Sequence, residues 1–309
     1  MAKSSGLNTR RALARATAAA LTAALVATGT SAAVAADDPG RLASQVPLDA
    51  PASGAKSKFS ASALPGDAPI NPLYGVDNNG DMWGYDLDFE GGLEPRVDVG
   101  SDWQFTRFIS QADRDADGFS DGIWEVTGDE LYSASWGEYG TLIGKGWKIY
   151  NNVLSAGNLG GAAPDDMIAR DGSGVLWLYL GYNDGKVDPR VKVGAGWNAY
   201  THLAGKGDLT GDGKHDIVAK DSAGVLWLYQ GTGNYKAPFA PRTKIGAGWN
   251  IYNNLVSVGD VDIDGTTDLI ARDKAGALWL YKGTGNAAAP FSPPVKIGTT
   301  GWNTYRLLF

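Results

Sequence analysis

The chain has 309 residues, with 27 Lys and Arg against 34 Asp and Glu, two histidines, no cysteine and a net charge of −7. That balance is unsuited to nucleic acid or an anionic membrane surface, and the lack of cysteine excludes disulfides and thiol chemistry. Beyond residue 36 no run of 18 apolar residues occurs, so no membrane-inserted segment is expected there.

The first 36 residues read as a secretory signal peptide. Lys3, Arg10, Arg11 and Arg15 precede the apolar run Ala16–Val26, and Ala33-Val34-Ala35 supplies a small-residue cleavage site. Export to the extracellular space is therefore expected, by a general or twin-arginine route. Loss of residues 1–36 removes four basic and no acidic residues, leaving 23 against 34 and a net charge of −11. Residues 37–70, dominated by Pro, Ala, Ser, Gly and Asp, carry too little apolar surface to offset chain entropy and read as a linker.

From residue 71 to 309 one cassette recurs. Gly-Asp-x-x-Gly-Asp-Gly-x-x-Asp is followed by an apolar run, then Leu-Trp-Leu-Tyr, then a Gly-Trp turn. A truncated copy covers Leu73–Trp103, the next begins at Asp113, a worn one runs Asn158–Trp197, and clear ones run Asp208–Trp249 and Asp260–Trp302. The register tryptophans Trp103, Trp147, Trp197, Trp249 and Trp302 are spaced by 44, 50, 52 and 53 residues. Short strands repeating at such a period predict a β-propeller. Leu226-Trp227-Leu228-Tyr229 is apolar on both alternating faces, as a strand sandwiched between neighbouring sheets must be. The first copy lacks its leading strand, while Trp302–Phe309 is left over at the end. The expected fold is all-β, a five-bladed propeller whose C-terminal strand closes the first blade and so removes exposed edges.

The Asp-rich loops carry the chemistry. Asp113, Asp115, Asp117 and Asp121 form a full D-x-D-x-D-G-x-x-D string, as do Asp260, Asp262, Asp264 and Asp268; Asp208, Thr210, Asp212 and Asp216 form one with a hydroxyl in the middle. Phe119, Lys214 and Thr266 follow the glycine and are placed to offer a carbonyl. Oxygen-only ligation suits Ca²⁺, whereas Zn²⁺ would call for His or Cys. About three structural ions are expected, and these would bring −11 to about −5. Asn158–Asp166 keeps only its last carboxylate and reads as an empty loop, so Asp166 is expected to matter less than Asp264.

Two aromatic columns stand out. Trp83, Trp177, Trp227 and Trp279, with Tyr132 in the same slot, read as packing between blades. In the second column, Trp197-Asn198-x-Tyr200, Trp249-Asn250-x-Tyr252 and Trp302-Asn303-x-Tyr305 pair an aromatic with an amide. Those triplets suit either corner packing or stacking on a sugar ring.

These loops and strands resemble the FG-GAP or VCBS repeat proteins, whose calcium loops also occur in the integrin α propeller. The resemblance covers about Asn71–Phe309, and the Leu-Trp-Leu-Tyr and Gly-Trp-Asn-x-Tyr elements look like those of secreted actinobacterial members. The blade count is similar to that of tachylectin-2-like lectins, which lack these loops; integrin-like propellers have seven blades. The resemblance implies structural calcium and a ligand that varies between members.

Catalysis has little to draw on. Neither a G-x-S-x-G nor an H-E-x-x-H motif is present. Acid pairs such as Glu125/Asp129 and Glu90/Glu94 are what 34 acidic residues produce by chance. A monomeric, non-catalytic binding module is expected. Its ligand is read first as an extracellular or cell-surface glycan, and alternatively as a secreted or cell-surface protein, as for a protease modulator.

Overall fold

A computed structural model describes residues 68–309. The signal peptide and nearly all of the linker lie outside the described residues. Twenty short strands form five four-stranded antiparallel sheets. Blade 2 is built from β4 (Thr106–Ala112), β5 (Gly122–Thr127), β6 (Glu130–Ser135) and β7 (Thr141–Lys145). Blade 3 contains β8 (Tyr150–Gly157), β9 (Asp166–Asp171), β10 (Leu176–Tyr179) and β11 (Val191–Gly194). Blade 4 contains β12 (Tyr200–Ala204), β13 (Ile217–Asp221), β14 (Leu226–Tyr229) and β15 (Thr243–Gly246). Blade 5 contains β16 (Tyr252–Gly259), β17 (Asp268–Asp273), β18 (Leu278–Tyr281) and β19 (Val295–Gly298).

Blade 1 is composite. Its strands β1 (Leu73–Asp77), β2 (Met82–Tyr85) and β3 (Val97–Gly100) are completed by β20 (Tyr305–Leu308), which pairs Val76 with Leu307 and Gly75 with Leu308. The C-terminal strand closes the first blade. The last strand of each sequence cassette is the inner strand of the following blade, so cassette and sheet are offset by one strand.

Hydrophobic burial is divided among the five blade boundaries. Between blades 3 and 4, Leu176 and Leu178 pack with Leu203, Ile217 and Ala219, and the other four boundaries repeat the scheme. A sheet buried on both faces has no polar face, hence the continuous apolar strands.

A girdle of cations, not foreseen from sequence, joins each blade to the next. Arg107 donates to Tyr150 O (2.7 Å), Arg170 to Tyr200 O (2.6 Å), Lys220 to Tyr252 O (2.6 Å), Arg272 to Tyr305 O (2.7 Å) and Arg306 to Thr106 O (2.6 Å). In blades 3, 4 and 5 the cation sits on the second strand. In blades 1 and 2 that slot is Val76 or Val126, and an arginine on the inner strand reaches the equivalent carbonyl. At the opposite end Lys206 of blade 4 makes a buried ion pair with Asp165 of blade 3 and donates to Gln111 O of blade 2 (3.0 Å).

Candidate functional site

The acidic loops join each inner strand to its neighbour and crowd one end of the ring. Tight Asx turns shape them. Asp113 accepts from the N–H of Ala116 (2.7 Å) and Gly118 (2.8 Å), with Gly118 at φ +85°, where a side chain would be strained. Asp208 accepts from Gly211 (2.7 Å) and Gly213 (2.6 Å), and Asp260 from Gly265 (2.7 Å). Phe119, Lys214 and Thr266 each donate their N–H to the Asp two residues earlier.

The structure gathers two of the three predicted ligand sets. Carboxylate oxygens of Asp113, Asp115 and Asp117 lie within 4.8 Å of one another, as do those of Asp260, Asp262 and Asp268. Asp262 is only 6% exposed, and its Oδ1 is buried with no hydrogen-bond partner. A buried acceptor without a donor calls for a cation or water, and an all-oxygen trio fits Ca²⁺. Asp264 points outward and Asp121 turns to the N–H of Arg114 (2.7 Å). In the middle loop Asp212 faces Lys214 (3.6 Å) and Thr210 stays bonded to Asp208. Burial is the main reason Asp113 and Asp216 are pushed up to about 6, and Asp260 and Asp268 to about 7; backbone N–H groups partly offset it.

Lys282, absent from the sequence reading, stands in the blade 5 loop. Its Nζ lies 2.7 Å from Asp262 Oδ2. The equivalent positions in blades 2, 3 and 4 are Ser135, Leu180 and Gln230, none of them a cation. Lys282→Met should raise its calcium affinity about tenfold in titration calorimetry. Unchanged affinity would make Lys282 a bystander.

The last Asp of a loop has a second role. Asp166 is 1% exposed and accepts from Leu159 N (2.9 Å), Gly160 N (2.6 Å) and Gly181 N (3.0 Å). Asp216 and Asp268 make matching bonds to Gly231 and Gly283. The last carboxylate thus ties the loop to the strand turn beside it, whether or not the loop has further carboxylates. This reverses the expectation for Asp166. Asp166→Ala strands three donors, two of them buried at a cost of about 1–3 kcal/mol each, and should depress the ion-free melting temperature more than Asp264→Ala does. Equal melts of the two variants would refute that role.

Residues 69–72 cross between the two gathered sets. Asp260 N donates to Pro69 O (2.7 Å), Ile70 N to Gly118 O (2.8 Å) and Ser120 N to Asn71 Oδ1 (2.8 Å). Pro69 and Ile70, assigned to the linker by composition, are therefore part of the packed ring. The strap occupies the loop position that blade 1 lacks because its inner strand comes from the other end of the chain.

The strand column packs against the blade boundaries, as its pattern predicts, and the turn column proves the more deeply buried of the two. Trp103, Trp147, Trp197, Trp249 and Trp302 are 2–8% exposed. Trp197, Trp249 and Trp302 lie 4.7, 4.6 and 4.4 Å from Tyr229, Tyr281 and Tyr85, and Tyr200, Tyr252 and Tyr305 are buried beside them. Those rings are corner packing with no open face for a sugar. Asn198, Asn250 and Asn303 are exposed and donate to Gly172, Ala223 and Lys274 carbonyls of the preceding blade. The strand column is only half-buried. Exposed Arg96, Arg190, Arg242 and Lys296 stand 3.9, 4.1, 4.0 and 4.8 Å over Trp83, Trp177, Trp227 and Trp279. The three arginines also donate to the hydroxyls of Tyr305, Tyr150 and Tyr200. Three blades thus present a cation, an indole and a phenol together, and a fourth presents a cation over an indole. Pro95-Arg96, Pro189-Arg190 and Pro241-Arg242 were the signal for it in the sequence. Glu125, raised as one of a possible acid pair, is buried between the Thr106 and Thr127 hydroxyls, both at 2.5 Å.

Residues 208–271, one loop-to-loop unit of this ring, match the family described as FG-GAP-like repeat. The chain is a five-bladed propeller in which this one stretch is similar to an FG-GAP-like repeat. No curated protein matches it in sequence. Among solved structures it is similar to the BP39L lectin from Burkholderia pseudomallei, at 14% identity over 77% of this chain and 72% of that one, TM-score 0.46. It is also similar to AofleA from Arthrobotrys oligospora, at 10% identity over 78% and 76%, TM-score 0.44. A third is the fucose-specific lectin from Aleuria aurantia, at 10% identity over 75% and 79%, TM-score 0.40.

Proposed function

We propose that this FG-GAP-like propeller is an exported, calcium-stabilised binding module without catalytic activity, and that it recognises extracellular or cell-surface glycans. The carrying observation is the flank arrangement, in which an exposed guanidinium, a half-buried indole and a tyrosine hydroxyl recur at matching positions in three blades, with an ammonium over an indole in a fourth. Planar donors beside an aromatic edge suit hydroxyl-rich ligands, and repetition around a ring turns weak single sites into avidity. The Asp260–Asp262–Asp268 trio, with its partnerless Asp262 oxygen, supports calcium.

The alternative, a protein-interaction propeller, is supported by Phe105, Ile149 and Ile251. These are 42%, 45% and 58% exposed on the turn face. A glycan array probed with and without Ca²⁺, beside a pull-down from culture medium, separates the two. Array binding that is lost in Arg242→Ala supports the glycan reading. A stoichiometric protein partner with a blank array would overturn it.

A further inference from the structure

The inner strands β20, β4, β8, β12 and β16 enclose an axial channel of about 240 Å³, room for roughly eight water volumes. Its lining includes Arg107, Arg306, Lys206 and His202 and, among the described residues, no aspartate or glutamate. In a chain of net charge −7, this wall has the opposite sign to the rest of the molecule. Lys206, near the loop end, is answered by Asp165. Arg107 and Arg306, near the turn end, are held by backbone carbonyls, which orient a guanidinium without an ion pair; Asp77 and Glu125 lie near enough to Arg306 to act on it through space. Arg170, Lys220 and Arg272 add to the positive field at the same end through the girdle. A confined cleft lined by one sign of charge concentrates counter-ions.

Three polar atoms on this lining are unpaired, Gln111 Oε1 toward the loop end and two toward the turn end. Arg306 Nε is buried without an acceptor, and Asn152 Oδ1 is buried without a donor. Buried polar groups in native proteins find partners, and an amide can turn its NH₂ toward an anion. Arg306, Asn152 and Arg107 sit at the same end of their strands, whereas Val153, Leu203 and Leu255 line the channel further along. A charged head and a short apolar body would match this gradient.

We propose that the channel is a binding site for a small monocarboxylate with a compact apolar body. The carboxylate is held at the Arg107–Arg306 end, and the body lies between Val153, Leu203 and Leu255. This site is separate from the blade flanks and does not depend on the glycan reading.

The test is calorimetric titration of the full chain with benzoate and hexanoate, against neutral benzamide and hexanol, with glucuronate as a carboxylate lacking an apolar body. Benzoate or hexanoate should bind at least tenfold more tightly than their neutral counterparts and than glucuronate. Asn152→Asp, nearly isosteric, places a like charge in the lining and should abolish binding without changing the melting curve. Should that variant fail to fold, backbone amide shifts of Val153 and Leu203 on adding benzoate to the unmodified protein make the same test. Equal affinity for benzoate and benzamide, no binding up to tens of millimolar, or shifts confined to the blade flanks would overturn the proposal.

Discussion

Deletion of Arg306–Phe309 is expected to leave a protein that aggregates or melts far below the full chain. The four residues supply most of β20, the backbone exchange of Phe309 with Tyr74 at 2.9 and 3.0 Å, and the girdle cation from blade 1 to blade 2. Phe309 is 8% exposed and stacks on Tyr74 at 5.5 Å, while Leu307 and Leu308 are half-buried. A fully buried Phe contributes about 1.5–3 kcal/mol and the two leucines together about as much again. The loss is a large share of a typical net stability of about 5–15 kcal/mol. The deletion also bares an edge strand on blade 1, which invites intermolecular pairing. A truncated protein with a wild-type thermal melt would mean that the ring does not depend on this closure.

At pH 8, millimolar Ca²⁺ should raise the melting temperature of ion-free protein by several degrees or more, and Mg²⁺ should do less. One site at a hundredfold excess over its Kd adds about 2.7 kcal/mol, or roughly 5–10 °C for a domain of this size. The effect should fade on acidification, and its sign follows from the carboxylates. Burial raises Asp260 and Asp268 to about 7 and Asp113 to about 6 in the folded state, whereas an unfolded Asp ionises near 3.9. The folded protein therefore binds more protons. Without calcium, these groups favour folding below about pH 4, and that contribution is lost as pH rises to about 7. Calcium needs the ionised form, so its stabilisation grows over the same window. Calorimetric melts at pH 5 and pH 8, with and without Ca²⁺, read both trends. Identical melts at pH 8 would rule out structural calcium.

The sequence by itself determined the repeat, the blade count and the closure. Each rests on local periodicity: Leu-Trp-Leu-Tyr marks a strand buried on both faces, and Trp302–Phe309 is an inner strand without a blade of its own. It also located the two gathered carboxylate sets, because alternate side chains in a turn tightened by glycine converge within one short segment.

What it misjudged depends on residues far apart in the chain. Asp166 looked like the remnant of an empty loop, yet it holds three N–H groups, one of them from Gly181 beyond the next hairpin. Trp197, Trp249 and Trp302 were left open between corner packing and sugar contact until the neighbouring blade covered them, while Trp83, Trp177, Trp227 and Trp279 pack between blades as read but stay half-buried beneath cations that the pattern did not show. The girdle, the Lys206–Asp165 pair and the strap at residues 69–72 join groups that lie from tens of residues to 200 residues apart. A periodic pattern specifies which face of a strand is apolar. Which blade covers that face, and which carbonyl or carboxylate a cation finds across the ring, is decided only when the ring closes and brings those distant groups within hydrogen-bonding distance.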